Sequence, residues 1–269
     1  MIRTILWELR LRRSSLLWWV IGSVALTALI MLLYPAIRDQ AKDMNEVISR
    51  LPAGLRELKA GTSGTVDVGD PLQFMNSQIY YATLPILWII FTVTRFAGVL
   101  GKDETSGRLE LLLSRPTSRS KLLGAKLLSV VCESVIIAAC VAVATIALGP
   151  LAQLDSPWDT MLLATAYTMG FCMSFGFIAF ALRAMGGRWA TIAVPLAVTL
   201  SFGGYLLTSL SGLADWLKDF AKFAPYHHFN PLAILQGQSV GKLGWYFVAV
   251  VVGSMAVSFM TFRRRDLGS

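Results

Sequence analysis

Six stretches of this chain carry no charged side chain: residues 14–37, 71–94, 134–154, 160–182, 189–214 and 243–262. Each is at least as long as the roughly 20 residues a helix needs to cross a hydrocarbon core of about 30 Å. Lipid offers the backbone no hydrogen-bond partner, so a segment that crosses it must pair its own amides and carbonyls, as a helix does. Composition agrees. Of 269 residues, 55% are hydrophobic and only 15% are charged, where a soluble domain carries about 25%. That balance argues against a cytosolic enzyme, a nucleic-acid binder and a disordered chain.

The predicted fold is therefore an all-α integral membrane protein, one domain over 1–269, with spans at about 15–37, 78–100, 127–149, 160–182, 189–211 and 243–262. Six spans place both termini on one side. Fifteen of the 24 Lys and Arg residues then fall on the side of the termini and eight on the other, with Arg95 inside a span. The excess of cations in short loops marks the side of the termini as cytoplasmic, and the net charge of +8 becomes a topology signal rather than a nucleic-acid footprint. The basic, apolar start is expected to be a retained span rather than a secretory signal peptide, because the run exceeds the h-region length and 34–38 does not read as an A-x-A cleavage site.

Ile2, Ile5, Leu6 and Leu9 recur at helical spacing, with Arg3, Arg10 and Arg13 elsewhere on the wheel. This predicts an N-terminal amphipathic helix lying in the interface. Residues 38–77 form the longest external segment, a cap in which Met44, Val47, Ile48, Leu51, Leu55 and Leu58 share a face that Pro52 divides. The loop 101–121 is the richest cytoplasmic piece. Leu109, Leu112 and Leu113 give it a short apolar face, Arg115-Pro116 ends that helix, and Thr117 or Ser118 caps the next. The run 223–241 contains two prolines, two histidines and several amides, and is expected to be re-entrant or interfacial.

Catalytic and nucleotide-binding patterns are missing. The nearest approach to a phosphate loop, 237–243, has three residues between its glycines instead of four and lacks the following Ser or Thr. No metal-ligand spacing occurs. His227 and His228 are adjacent and point different ways, so they read as polar packing. Cys132, Cys140 and Cys172 read as small apolar packing residues within spans. Two ionisable groups lie inside apolar stretches. Arg95 is seven residues before Lys102, and Glu133 is seven residues after Lys126, so on antiparallel helices both reach about 10 Å beyond those lysines. Either they pair, as part of a gate between two spans, or each snorkels separately to the interface. Ala138, Ala142, Gly170, Ser174 and Gly176 mark candidate helix contacts, and Pro195 with Gly203-Gly204 predicts a bent fifth span.

The segment Glu104-Thr105-Ser106-Gly107-Arg108-Leu109-Glu110-Leu111-Leu112-Leu113-Ser114-Arg115-Pro116-Thr117-Ser118-Arg119, followed by Gly124 and Lys126, resembles the ABC-2 family of ABC-transporter permeases. Arg108 departs from the usual Thr. The amphipathic start, the six spans and the broken segment before the last one fit the same pattern along essentially the whole chain. The resemblance implies a subunit that dimerises with an identical or paralogous permease and docks two copies of a separate ATP-binding subunit. That subunit would carry ATP and Mg, with no cofactor or metal bound by this chain. It implies a coupling helix whose Leu109, Leu112 and Leu113 fill a groove on the ATPase, with Glu104, Glu110 and Arg119 as rim charges and Gly107, Pro116 and Ser118 shaping the turn. The expected function is ATP-driven export across a bacterial or archaeal cell membrane, by a chain that is not itself an enzyme and has no nucleic-acid partner. The competing readings are a secondary transporter, which would usually carry inverted repeats and midplane carboxylates, and a non-transporting multi-pass scaffold.

Overall fold

The computed structural model describes residues 2–50, 67–105, 118–154, 156–211 and 215–264. Helix α1 (Ile2–Leu11) meets α2 (Arg13–Asp39) at Arg12. A short α3 (Ala41–Ser49) follows. The second span is one continuous rod built from α4 (Pro71–Phe74), a π-helical stretch Met75–Thr83, and α5 (Leu84–Thr105). Then come α6 (Arg119–Leu148), α7 (Trp158–Met185) and α8 (Gly187–Ser209). The short α9 (Asp215–Ala221), a 3-10 turn Pro225–His228 and α10 (Pro231–Leu235) lead into α11 (Val240–Arg264). Six of these helices are long and apolar enough to cross a membrane, and there is no strand among the described residues.

Several boundaries differ from the sequence expectation, each for a local reason. The second span starts at Pro71 rather than 78, so 71–77 belong to it and not to the cap. Asp70 caps this helix, its carboxylate accepting from the Leu72 amide at 2.9 Å, and Pro71 occupies the first helical position, where its missing N–H costs nothing. The third helix starts at Arg119, eight residues before 127, because the Ser118 hydroxyl accepts from the Lys121 amide. The turn from α7 to α8 is made by Gly186 and Gly187, both at positive φ (75° and 53°), conformations that side chains with a Cβ avoid. In the cap, Ile48 packs with Ala41 and Val68, whereas Val47 is exposed, so the expected apolar face is only partly used. Leu51, Pro52, Leu55 and Leu58 lie outside the described residues.

The hub is α7, which packs against α5, α11, α8 and α6. Its closest approach is to α5 at Gly176, where a Cβ would lie 2.9 Å from Phe96 and 3.1 Å from Thr92. The Thr92 hydroxyl uses that proximity to donate to the Cys172 carbonyl at 2.9 Å. Gly170 shows no such contact. In contrast, α2, α8 and α11 turn much of their surface outward. Leu17, Leu32, Phe202, Val252 and Met260 are all exposed, as expected for helices bathed by lipid or waiting for a partner.

Candidate functional site

Contacts between distant residues define one end of the bundle. Glu8 of α1 reaches Lys126 of α6, Arg263 of α11 donates to the Ser120 hydroxyl at 2.9 Å, and the Arg183 guanidinium of α7 lies against Gly101 of α5. This end also carries Arg10, Arg12, Arg13, Arg119, Lys121 and Arg188. It is the basic end, where α1, the end of α5, the start of α6 and the end of α11 meet.

A line of buried charges runs from this end into the spans. The Lys126 ammonium lies 2.9 Å from one Glu8 oxygen, and both side chains are almost wholly buried (1% and 4% exposed). The other Glu8 oxygen faces Arg12 at 3.4 Å, one turn on. Two turns deeper, Arg95 Nε of α5 lies 2.9 Å from Glu133 Oε2 of α6, with Glu133 fully buried. The pair is in ionic contact but poorly aligned: neither Arg95 Nε nor Nη2, and neither Glu133 oxygen, makes a directed hydrogen bond. The structure thus brings Arg95 and Glu133 together rather than sending each to the interface.

The residue that α1 buries is not in its apolar stripe. Glu8 points into the bundle, while Leu6, Trp7 and Leu11 are about half exposed. The helical wheel missed this because it ranks faces by hydrophobicity. A usable signal existed: Glu8 is the sole acidic residue before Asp39, set on a helix otherwise apolar or basic. An isolated carboxylate of that kind needs a cation, and Lys126 at the head of a span is one.

Beside this network an open cleft of about 610 Å³ is lined by Leu11, Arg12, Ser14, Ser15, Trp18 and Arg95, among others. A second groove, about 230 Å³ and apolar, runs between α5 and α8 along Tyr81, Ile86, Ile90, Val198, Phe202 and Tyr226. Behind it the segment before the last span folds into the bundle. Phe229 stacks on Phe171 with centroids 4.0 Å apart, and the Tyr167 hydroxyl donates to the His228 carbonyl at 2.9 Å. Gly204 faces this segment, and a Cβ there would touch Pro225 at 3.4 Å. His227 sits outside the spans. Partial burial holds its pKa below the ordinary 6.5, and then His228 and Lys222 lower it further.

Of the residues expected at the coupling surface, Ser118 caps α6 and Arg119 opens it. Glu104 lies in the last turn of α5, but its side chain is outside the described set, as are Gly107, Leu109, Glu110, Leu112, Leu113 and Pro116. Among the described residues no cluster of three or more His, Cys, Asp or Glu is placed to hold a metal.

The family described as "Multidrug efflux system permease Rv1217c, C-terminal domain" matches residues 6–263. The chain belongs to this family. The match accords with the ABC-2 type resemblance of the 104–119 motif and makes the molecule a multi-pass membrane permease. Comparisons with curated proteins and with solved structures give no match. Because the matched region starts at residue 6 and ends at 263, it includes the second half of α1 with Glu8 as well as all six spans of the permease.

Proposed function

We propose that this permease is the membrane subunit of an ATP-driven exporter and works with a separate ATP-binding subunit in two copies and a second six-span permease unit. Hydrolysis of ATP, with its Mg, belongs to the partner, and the chain is the moving part rather than the enzyme. The basic end is cytoplasmic in this reading. The observation that carries the proposal is the pair of buried ionic contacts at that end, on a chain of the multidrug efflux permease family. Arg95–Glu133 joins α5 to α6, the two helices that flank the 106–117 connection. Glu8–Lys126 joins α1 to the same α6. A push on the connecting loop therefore acts on α1, α5 and α6 as one body.

The groove between α5 and α8 suits an apolar, partly aromatic substrate, because its walls are aliphatic and tyrosyl with almost no polar surface. The outward apolar faces of α8 and α2 suit the second permease unit and the lipid. The test is co-purification with an ATP-binding subunit encoded beside the permease, followed by ATPase and dye-efflux assays. Charge reversal at Glu104 and Glu110 should weaken docking or uncouple hydrolysis from efflux. A wild-type permease that binds no ATP-binding subunit refutes the reading.

A further inference from the structure

The short helix α9 presents three different faces. At roughly 100° per residue about its axis, Leu217 and Ala221 fall on one side, Trp216 and Phe220 on a second and Lys218 on a third. Leu217 is half-buried and Ala221 is buried, so the first side is laid on the bundle, where α9 packs against α8. Lys218 is exposed. Trp216 and Phe220 are 65% and 59% exposed, their rings in edge contact with centroids 6.3 Å apart. Just past the helix end, the Phe223 amide donates to the Phe220 carbonyl at 3.1 Å and carries the stripe one step further. Phe223, at 80%, is the most exposed large apolar side chain among the described residues.

Depth identifies what covers this stripe. Ala224 and Pro225 follow Phe223 directly and lie against α8, within 3.9 and 3.4 Å of where a Cβ of Gly204 would be. Gly204 comes five residues before Ser209, the end of α8. That places Phe223 beside a level about 7.5 Å inside the end of a membrane-spanning helix. The stripe therefore descends along α8 to the zone where headgroups give way to acyl chains. Other helices mark the same zone. Arg183 and Arg263 put the ends of α7 and α11 at the basic end, so both helices start at the opposite one, and there they expose Trp158 and Trp245. Exposed aromatic residues on three separate helices at one level are what a lipid boundary imposes, whereas a protein partner would call for one contiguous patch. We propose that α9 and Phe223 form a foot inserted in the leaflet opposite the basic end, with Trp216 at the headgroups, Phe220 and Phe223 among the upper acyl carbons and Lys218 turned to water. Tyr226, three residues on, is a wall of the apolar groove between α5 and α8. The leaflet and that groove thus share one short segment.

Nitroxide labels test the foot without any ATP-binding subunit. The three cysteines are replaced (Cys132→Ala, Cys140→Ala, Cys172→Ala), and Phe220→Cys or Lys218→Cys is labelled in permease reconstituted into phosphatidylethanolamine–phosphatidylglycerol vesicles. Collision rates with oxygen, which concentrates in lipid, are compared with those of a water-soluble nickel chelate. Oxygen should dominate at Phe220→Cys and the chelate at Lys218→Cys. Dominance of the chelate at Phe220→Cys overturns the proposal by placing the stripe in water. A label there that is shielded from both reagents overturns it by assigning the stripe to a protein contact, such as a second copy of the permease. A second measurement keeps the native cysteines. The fluorescence difference between wild type and Trp216→Phe isolates Trp216, and acyl-brominated phosphatidylcholine should quench that difference; stronger quenching by aqueous acrylamide would overturn the insertion of the foot.

Discussion

Removing the charge of Glu8 should destabilise the permease far more than removing its partner Lys126. The two atoms are 2.9 Å apart in a site that is nearly closed to solvent. At an effective dielectric of about 20, that separation corresponds to roughly 6 kcal/mol of attraction, most of which offsets the desolvation of both ions. In Glu8→Gln both Lys126 and Arg12 lose the carboxylate they share. Removing one partner of a buried pair costs about 3–5 kcal/mol. Lys126→Met behaves differently, because Glu8 still has Arg12 at 3.4 Å and the thioether fills the vacated space. That variant should lose about 1–2 kcal/mol. The double variant should lose less than the sum of the two, since the Glu8–Lys126 contact is removed only once. Unfolding in mixed micelles with rising SDS, followed by far-ultraviolet circular dichroism, gives all three differences. Lys126→Met falling below Glu8→Gln, or strictly additive losses, would refute the account of α1 as an ion-anchored helix.

Three further outcomes are expected. Gly176→Ala places a methyl 2.9 Å from the Phe96 ring and should cost about 1–3 kcal/mol in the same assay; Gly170→Ala, with open space around it, serves as the control and should be near neutral. Glu133→Gln leaves Arg95 unbalanced inside the spans and should cost about 3 kcal/mol, with Arg95→Gln in the same chain restoring most of it; a double variant no better than the single would exclude a paired interaction. His227, held below 6.5, favours its neutral form in the folded state. Its contribution is therefore complete above that value and is lost as pH falls through the lower folded-state pKa. Amide protection factors at 226–229, which discount the fall in intrinsic exchange rate, should drop on going from neutral pH to about pH 5, and His227→Gln should flatten that dependence.

Hydropathy located the spans because charge is excluded from lipid and nothing else in the chain imposes 20 uncharged residues in a row. It placed their ends poorly, because ends are set by local hydrogen bonds. Asp70-Pro71 and Ser118 are cap signals that a hydropathy window averages away. The depth of Arg95 and Glu133 was legible, since each sits seven residues from a boundary lysine on adjacent antiparallel helices. Their contact was not fixed by depth alone, because rotation about each helix axis decides whether two side chains at one level meet. The burial of Glu8 was hidden for the opposite reason. A hydrophobic wheel assigns a carboxylate to the wet face, but a basic bundle end makes the bundle itself the better partner.

The distribution of burial separates the helices by role. Two-thirds of the α7 window is buried, against 17–22% for α2, α8 and α11. A helix surrounded by four others cannot move without repacking Phe171, Phe175 and Phe180, all fully buried, and close-packed side chains of that size resist partial displacement. The peripheral helices have no such restraint on their outer faces. The groove between α5 and α8 lies on the boundary between the two classes: α5 is pinned to α7 at Gly176, while α8 meets the groove through buried Ser201 and through Val198, Phe202 and Tyr205, which are not buried. Widening that groove separates α8 from α5, and Pro195 removes one backbone hydrogen bond from α8 within a turn of the groove. The tightest packing therefore lies at the hub and the least restrained faces lie along the apolar wall.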